Sequence, residues 1–148
     1  MIIISPAVKA LAPPRYLVDA GPLIALFARR DRWHDWAKGL FFSLGEPLWA
    51  SELVIGEVAW NLGQNSSATL ELLSFIHRGE LGVISVLDQH ASRLSQLMAK
   101  YERMDVCDGS LVVLSEQFPK AKIITVDTRD FPVYRRFGRE PLPLIMPE

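Results

Sequence analysis

The chain has little of the chemistry that would cross-link it or hold a soft metal ion. Cysteine occurs once in 148 residues, as Cys107, and a single thiol excludes a disulfide framework and a cysteine-based zinc site. The histidines, His34, His77 and His90, fall in none of the spacings that place two imidazoles on one helical face. We therefore expect no zinc chemistry, and we interpret Cys107 as a buried and inert side chain.

Net charge and long apolar runs are missing as well. The chain has 16 basic and 17 acidic residues and a net charge of −1, which excludes holding nucleic acid by bulk positive charge. No window reaches the roughly 18 to 20 apolar residues of a membrane span. The opening apolar run precedes Pro6 and Lys9, which reverses the order of a signal peptide. We expect a cytoplasmic protein that is not attached to a membrane.

Apolar surface is abundant, because 49% of the residues are hydrophobic. A chain of this length buries roughly 70% of the surface that its unfolded form exposes, which is enough for one hydrophobic core. We predict a single domain over residues 15–148. The segment before it, residues 1–14, has no clear period, ends in two prolines, and is predicted to be a loose arm.

Short apolar runs alternate with patterns of helical spacing along the whole domain. Strands are expected at residues 16–18, 48–50, 82–87, 122–126 and 142–145. Helices are expected at residues 22–29, 34–44, 52–62, 66–78, 89–101, 106–117 and, as a short element, 132–137. Strands that are separated by helices, without hairpin signals, need crossover connections. The fold class predicted is α/β, a three-layer α/β/α sandwich with a mostly parallel central sheet.

Two of the expected strands run directly into an acid. The run Tyr16-Leu17-Val18 is followed by Asp19, and the run Ile123-Ile124-Thr125-Val126 is followed by Asp127. Ligands of open α/β sheets bind outside the carboxyl ends of the strands, so both acids can face one crevice. Each acid taken alone is equally well explained as the N-cap of the next helix. The pair favours a site.

Two further acids fall within expected helices. Glu57 lies in a segment that is apolar nearly all round, where a charged side chain is either at the solvated edge or in a polar pocket. Asp108 lies just past the N-cap expected at Asp105, where the helix dipole alone favours an acid. Both therefore keep a structural interpretation beside the functional one.

Carboxylates gathered in one crevice repel one another and raise each other's pKa unless a cation is present. The expected cation is Mg²⁺ or Mn²⁺, which prefer oxygen ligands and need only one or two carboxylates directly. A metal held in this way can activate a water for attack on a phosphodiester and can stabilise the leaving oxygen. Phosphodiester hydrolysis is therefore the predicted reaction class.

Four segments, taken in order, resemble the acidic motifs of PIN-domain ribonucleases, and above all those of VapC-type toxins. The segments are Leu17–Phe27, Ser51–Ala59, Met104–Glu116 and Ile124–Phe131. The resemblance covers about residues 15 to 146, nearly the whole chain. One such motif alone is a weak signal, whereas four in the right order are specific.

The resemblance implies a set of functional residues and partners. Asp19, Glu57, Asp108 and Asp127 match the family's catalytic, metal-binding acids, and Asp130 matches an acid that often follows the fourth motif. It implies a cytoplasmic endoribonuclease that depends on Mg²⁺ or Mn²⁺, cuts RNA, forms a homodimer and pairs with an antitoxin protein. The chain departs from the family at Gly109, where alanine is commoner, and in its long arm, and neither departure removes an acid.

Basic residues cluster in two places that are candidates for contact with RNA phosphates. The first group surrounds Trp33 and Trp36 and consists of Arg29, Arg30, Arg32 and Lys38. The second group follows Asp127 and consists of Arg129, Arg135, Arg136 and Arg139. Either group is also explained as an ordinary solvated face.

Other functions fit less well. A phosphatase of the haloacid-dehalogenase type needs a second acid two residues after the first, where this chain has Gly21, and no GxGxxG dinucleotide motif is present. The chain has little room for the extra helices with which nucleases grip branched DNA. A non-catalytic PIN-like adaptor that binds RNA or protein stays open as the alternative, although a binding module has no need of four clustered acids.

Overall fold

The central element is a five-stranded sheet in which every neighbouring pair of strands is parallel. The structure, a computed structural model, describes residues 13–148, so all but the last two residues of the expected arm lie outside the described residues. The strands are β1 Tyr16–Val18, β2 Leu48–Ser51, β3 Leu81–Ile84, β4 Lys122–Ile124, β5 Arg135–Arg136, β6 Glu140–Pro141 and β7 Leu144–Ile145. The sheet has the order β3-β2-β1-β4-β7, and β5 and β6 form a separate antiparallel pair.

Helices connect the parallel strands from β1 through to β4 and cover the sheet, which confirms the predicted α/β sandwich. They are α1 Ala20–Phe27, α2 His34–Leu44, α3 Glu52–Leu62, α4 Ser67–His77, α5 Leu87–Lys100 and α6 Val106–Gln117. Within residues 13–148 no helix has the length and apolar character needed to cross a membrane.

Several helices begin where the sequence predicts an N-cap. The Ser51 hydroxyl accepts a hydrogen bond from the Val54 amide at 3.1 Å, and the Asp105 carboxylate accepts one from the Asp108 amide at 2.9 Å. Helix α5 begins differently, because its first amides are capped from another helix. The Glu52 carboxylate accepts hydrogen bonds from the Val86 amide at 2.9 Å and the Leu87 amide at 3.2 Å. No local pattern predicts such a cap.

The hydrophobic core is formed by side chains of the strands and of the helices that pack on them. Leu17 in β1 and Ile123 in β4 are fully buried, as expected of strands that are covered on both faces. Helix α6 is buried along most of its length and carries Ser110 into the core. The Ser110 hydroxyl bonds the Ser51 hydroxyl at 2.7 Å and donates to the Cys107 carbonyl at 2.7 Å, so its burial is compensated. This contact ties the carboxyl end of β2 to α6.

The helix predicted over residues 132–137 is wrong. The chain makes turns there and then forms the β5–β6 hairpin, in which the Arg139 amide donates to the Arg136 carbonyl at 3.1 Å. The two residues between them, Phe137 and Gly138, both have positive φ, at 52° and 77°. Paired positive φ values suit the tight turn of a hairpin and end a helix. A Phe-Gly pair signals this turn far more weakly than Asn-Gly does.

Candidate active site

Asp19 lies at the end of β1, the central strand, and its amide donates to the Ile124 carbonyl of β4 at 2.9 Å. The carboxylate is buried, accepts from the Ala20 amide at 2.8 Å and accepts from the Thr125 hydroxyl at 2.8 Å. Burial raises the pKa of Asp19 to about 6 against these two hydrogen bonds, and the charges of Glu57 and Asp127 raise it further. Asp19 therefore caps α1 and also faces other acids.

Asp127 follows β4, the strand next to β1, so the two acids lie at the same edge of the sheet as predicted. Thr125 links them: its hydroxyl donates to Asp19 and accepts from the Asp127 amide at 3.1 Å. Asp127 Oδ1 accepts from the amides of Arg129 at 3.0 Å and Asp130 at 2.9 Å, which fixes the turn that follows. Within the described part of the chain, Asp127 Oδ2 accepts no hydrogen bond.

Asp108 lies in the first turn of α6, where Asp105 already performs the capping. Its Oδ2 accepts a 2.7 Å hydrogen bond from the hydroxyl of Tyr134, a buried residue. Burial raises the pKa of Asp108 to about 7; the Tyr134 hydrogen bond opposes this, and the charges of Asp105, Asp19 and Asp127 add to it. The carboxylate thus shares the electrostatic environment of the two acids at the sheet edge.

Glu57 completes the group from α3, which packs against both α1 and α6. It is partly buried, and its charge acts on Asp19 and on the Cys107 thiol. Burial and the Glu57 charge raise the pKa of Cys107 strongly, and the thiol donates to the Leu53 carbonyl. The Cys107 thiol is therefore buried and protonated, a state that makes a cysteine unreactive.

Asp130 is placed differently from the other four acids. The Arg103 guanidinium donates to both of its carboxylate oxygens, from Nε at 2.8 Å and from Nη2 at 3.4 Å. This hydrogen-bonded ion pair lowers the pKa of Asp130. Glu57 and Asp127 therefore act on Asp19 through their charges, and Asp19 and Asp127 act on Asp108. Asp130 is instead paired with Arg103.

The four-acid group fits a divalent metal ion in its chemistry. Its donors are all carboxylate oxygens, the ligands that Mg²⁺ and Mn²⁺ prefer, and two of its members, Asp19 and Asp108, have raised pKa values that a cation would lower. As the side chains stand in residues 13–148, no three acidic, histidine or cysteine groups are close enough to enclose an ion. Asp19 and Asp108 are instead satisfied by the hydroxyls of Thr125 and Tyr134.

Sequence reasoning did not identify three residues that shape this site: Thr125, Tyr134 and Arg103. Thr125 left a faint signal, because it is a hydroxyl residue within the otherwise apolar run that precedes Asp127. In the structure its side chain is fully buried. Tyr134 and Arg103 act on acids that lie 26 and 27 residues away in the chain, and no local pattern indicates either contact.

Two of the four basic residues that follow Asp127 make structural contacts. Arg135 donates to the carbonyls of Pro132 and Tyr134, at 2.8 and 3.0 Å. Arg136 donates to the carbonyls of Ser115 and Pro119, at 3.3 and 2.9 Å. The Arg136 guanidinium therefore holds the hairpin onto the end of α6, whereas Arg135 Nη1 braces the turn that precedes the hairpin.

The fold and the ordered acids define a PIN domain, and residues 16–136 match the family model of that name. The chain belongs to the PIN domain family, which confirms the resemblance found in its motifs. The chain is similar in structure to the toxin VapC20 of Mycobacterium tuberculosis, described as cleaving the sarcin–ricin loop, with a TM-score of 0.63 and 19% identity over 73% of this chain and 86% of the toxin.

A toxin–antitoxin complex from Klebsiella pneumoniae is also similar, with a TM-score of 0.58 and 22% identity over 78% of this chain and 89% of the matched chain. At these identities the two structures show a shared fold. No curated protein matches the chain at a significant level.

Proposed function

We propose that the protein is a divalent-metal-dependent endoribonuclease that hydrolyses RNA phosphodiester bonds as the toxin of a type II toxin–antitoxin pair. The observation that carries the proposal is the electrostatic coupling among these acids: the charges of Glu57 and Asp127 raise the pKa of Asp19, and the charges of Asp19 and Asp127 raise the pKa of Asp108. We infer that the four acids line one crevice. Membership of the PIN family and the folds shared with two toxin structures support the same assignment.

The proposed metal ligands are the four crevice acids, and a bound Mg²⁺ or Mn²⁺ would supply an activated water and offset charge at the phosphate. The chain's own groups determine when and how these acids can hold the ion. Without metal the pKa of Asp108 is about 7, so this carboxyl must lose its proton near neutral pH before it can bind the ion. Thr125 and the Ala20 amide hold the Asp19 carboxylate in one orientation.

The antitoxin partner is proposed from the shared fold with the Klebsiella pneumoniae complex and from the acidity of the crevice. A guanidinium fork of a partner protein is complementary to paired carboxylates and would displace the metal. Replacing the arginine and lysine residues near the antitoxin's C-terminus with alanine is expected to abolish inhibition of cleavage. Inhibition that persists after this replacement would contradict the mechanism.

A homodimer in the cytoplasm is proposed with it. Its support is an exposed apolar surface on α3 and α4, where Trp60 is 86% exposed and Leu70 and Leu73 lie one helical turn apart. Trp60→Glu and Leu73→Glu are expected to convert a dimer to monomers in sedimentation velocity. A wild-type protein that sediments as a monomer would remove this part of the proposal.

The nuclease assignment is tested with a labelled stem-loop RNA, for which the sarcin–ricin loop is the first choice because VapC20 is described as cleaving it. Asp19→Asn and Asp127→Asn are expected to lower the cleavage rate by on the order of 10² or more in Mn²⁺, since each removes a metal-binding charge. Asp88→Asn, the same change at an exposed acid of α5, is the matched control. RNA binding without cleavage would instead favour the adaptor function.

A further inference from the structure

Arg103 lies in the loop between α5 and α6, and its guanidinium is bonded to Asp130, three residues after Asp127. Residues 101–104 of this loop form a short turn, in which the Met104 amide donates to the Tyr101 carbonyl at 3.1 Å. The Met104 side chain is buried. The Tyr101 hydroxyl in turn accepts from the Arg135 amide at 3.0 Å. Arg103 therefore projects from a fixed backbone, and its side chain is 54% exposed.

A chain of short contacts connects Arg103 to the crevice. Asp127 Oδ1 accepts from the Asp130 amide at 2.9 Å, and the Asp130 carboxylate accepts from the Arg103 guanidinium. A guanidinium has five N–H donors, and Asp130 uses two of them, on Nε and Nη2. Within the described residues Arg103 Nη1 makes no hydrogen bond. One face of a positioned cation is thus left for a further anion.

The crevice needs such a cation if it is to receive a nucleic acid. Its carboxylates repel a polyanion. Arg136 is engaged at Nε with Glu140 and at Nη1 with carbonyls at the far end of α6, whereas Arg103 is bonded to an acid three residues after Asp127. A guanidinium binds phosphate oxygens through parallel N–H donors, which gives orientation as well as charge.

We propose that Arg103, oriented by Asp130, anchors an RNA phosphate beside the four-acid crevice. The inference rests on the proposed function and gives it a substrate contact. It also assigns Asp130 a positioning role toward Arg103 in place of a role as a metal ligand. A purely structural ion pair between the loop and the turn after β4 is the competing explanation, and it predicts no effect on RNA.

The test measures binding of a labelled stem-loop RNA by fluorescence anisotropy in chelator, where cleavage does not interfere, over a range of salt concentrations. The matched control is Arg78→Gln, since the Arg78 side chain is similarly exposed and forms an ion pair with Glu80, just before the amino end of β3 and away from the acid edge of the sheet. Melting temperatures of Arg103→Gln and Arg78→Gln are compared, so that loss of fold is recognised.

Arg103→Gln is expected to weaken RNA binding roughly tenfold, in line with the loss of a charge-assisted hydrogen bond, and to reduce the slope of log affinity against log salt by about 0.7. Arg103→Lys keeps the slope, because it keeps the charge, but loses the fork geometry and several-fold affinity. Asp130→Asn is expected to keep the slope as well and to lose less affinity. Arg78→Gln is expected to match the wild type.

Affinity and salt slope unchanged in Arg103→Gln would overturn the inference, as would a wild-type protein that binds no RNA. The proposed function fails separately. If RNA binding depends on Arg103 but no cleavage occurs in Mn²⁺, the nuclease proposal is wrong and the phosphate anchor stands. If cleavage depends on metal but its KM is indifferent to Arg103→Gln, the nuclease stands and the anchor is wrong.

Discussion

Tyr134 and Asp108 are joined by a 2.7 Å hydrogen bond from the phenol hydroxyl to Oδ2 of the carboxylate. The Tyr134 ring is buried and packs edge-on against Phe131 and Tyr101, with ring centroids 5.3 and 5.2 Å away. An acid in the first turn of α6 is thus held by the segment that follows the fourth acidic motif. Packing against Phe131 and Tyr101 fixes the Tyr134 hydroxyl, and the hydroxyl fixes the orientation of the Asp108 carboxylate.

Tyr134→Phe is expected to shift the pH dependence of RNA cleavage toward higher pH. The Tyr134 hydrogen bond lowers the pKa of Asp108, which nonetheless stands at about 7, so its loss raises that pKa and leaves more of the acid protonated at neutral pH. Activity at pH 7 should fall several-fold and recover in alkaline buffer. Tyr101→Phe is the control, because the Tyr101 hydroxyl meets a backbone amide and no acid. An unmoved profile in Tyr134→Phe would contradict the role of this bond.

Stability without metal is expected to fall as pH rises from about 4 to about 7. Asp19 and Asp108 have folded pKa values of about 6 and about 7 against an ordinary value of 3.8, so the folded state binds more protons than the unfolded state in this window. At 1.36 kcal/mol per pKa unit, the loss is on the order of 1 to 3 kcal/mol once partial exposure of Asp108 is allowed for.

Urea denaturation in chelator at a series of pH values measures this loss. The Asp130 carboxyl has the opposite effect on stability, because its pKa is lowered by folding. Its contribution to the free energy of unfolding is lost only as the pH falls below the ordinary pKa of 3.8, outside the pH range of the experiment. Asp19→Asn should flatten the pH dependence. A free energy of unfolding that rises between pH 4 and 7 would show that the two acids are not destabilised by burial.

The positions of the acids could be predicted because they depend on local sequence and on one general rule. The apolar runs before Asp19 and Asp127 predict strands, and the carboxyl ends of parallel strands share an edge of the sheet. The N-caps at Ser51 and Asp105 were predictable for the same reason, since a cap bonds amides two or three residues away.

The contacts that orient the acids could not be predicted, because they join residues far apart in the chain. The Thr125 hydroxyl reaches an acid 106 residues away, and Glu52 caps a helix from 34 residues away. The local sequence also could not decide whether Asp19 is a helix cap or a site residue. In the structure the buried carboxylate accepts from the Ala20 amide and also faces the charges of other acids.

Gly21→Ala is expected to disturb the site through a steric clash. A Cβ at Gly21, two residues after Asp19, would lie 2.6 Å from Cγ2 of Val126, the residue before Asp127. The β-branched side chain of valine is stiff, so relieving the clash would shift the backbone next to Asp127. The cost should be about 1 to 3 kcal/mol of unfolding free energy. Gly39→Ala, in a helix interior where nothing lies within 4 Å of the new Cβ, should instead stabilise by up to about 1 kcal/mol. Equal effects of the two changes in urea denaturation would refute the clash.

Asp108→Asn is expected to raise the melting temperature in chelator. The substitution removes a charge that burial and the neighbouring acids make costly, while an amide oxygen still accepts the Tyr134 hydrogen bond. Asp105→Ala is the matched control one helical turn away, and it should lower the melting temperature, because the Asp105 cap on the Asp108 amide is worth about 1 kcal/mol. The two neighbouring acids should therefore move stability in opposite directions.

Thermal melts of the same variants in millimolar Mn²⁺ show whether Asp108 binds the metal or is only destabilised by burial and by neighbouring charges. A metal that binds only the folded protein stabilises it by about 2.7 kcal/mol at a hundredfold excess over its dissociation constant. Asp108→Asn should shrink this increment, since it removes one of the four carboxylates proposed to hold the ion, whereas Asp105→Ala should leave it nearly whole. If Asp108→Asn melts below the wild type in chelator and gains as much from Mn²⁺, then Asp108 serves the end of α6, and the metal site has to be built from Asp19, Glu57 and Asp127 without it.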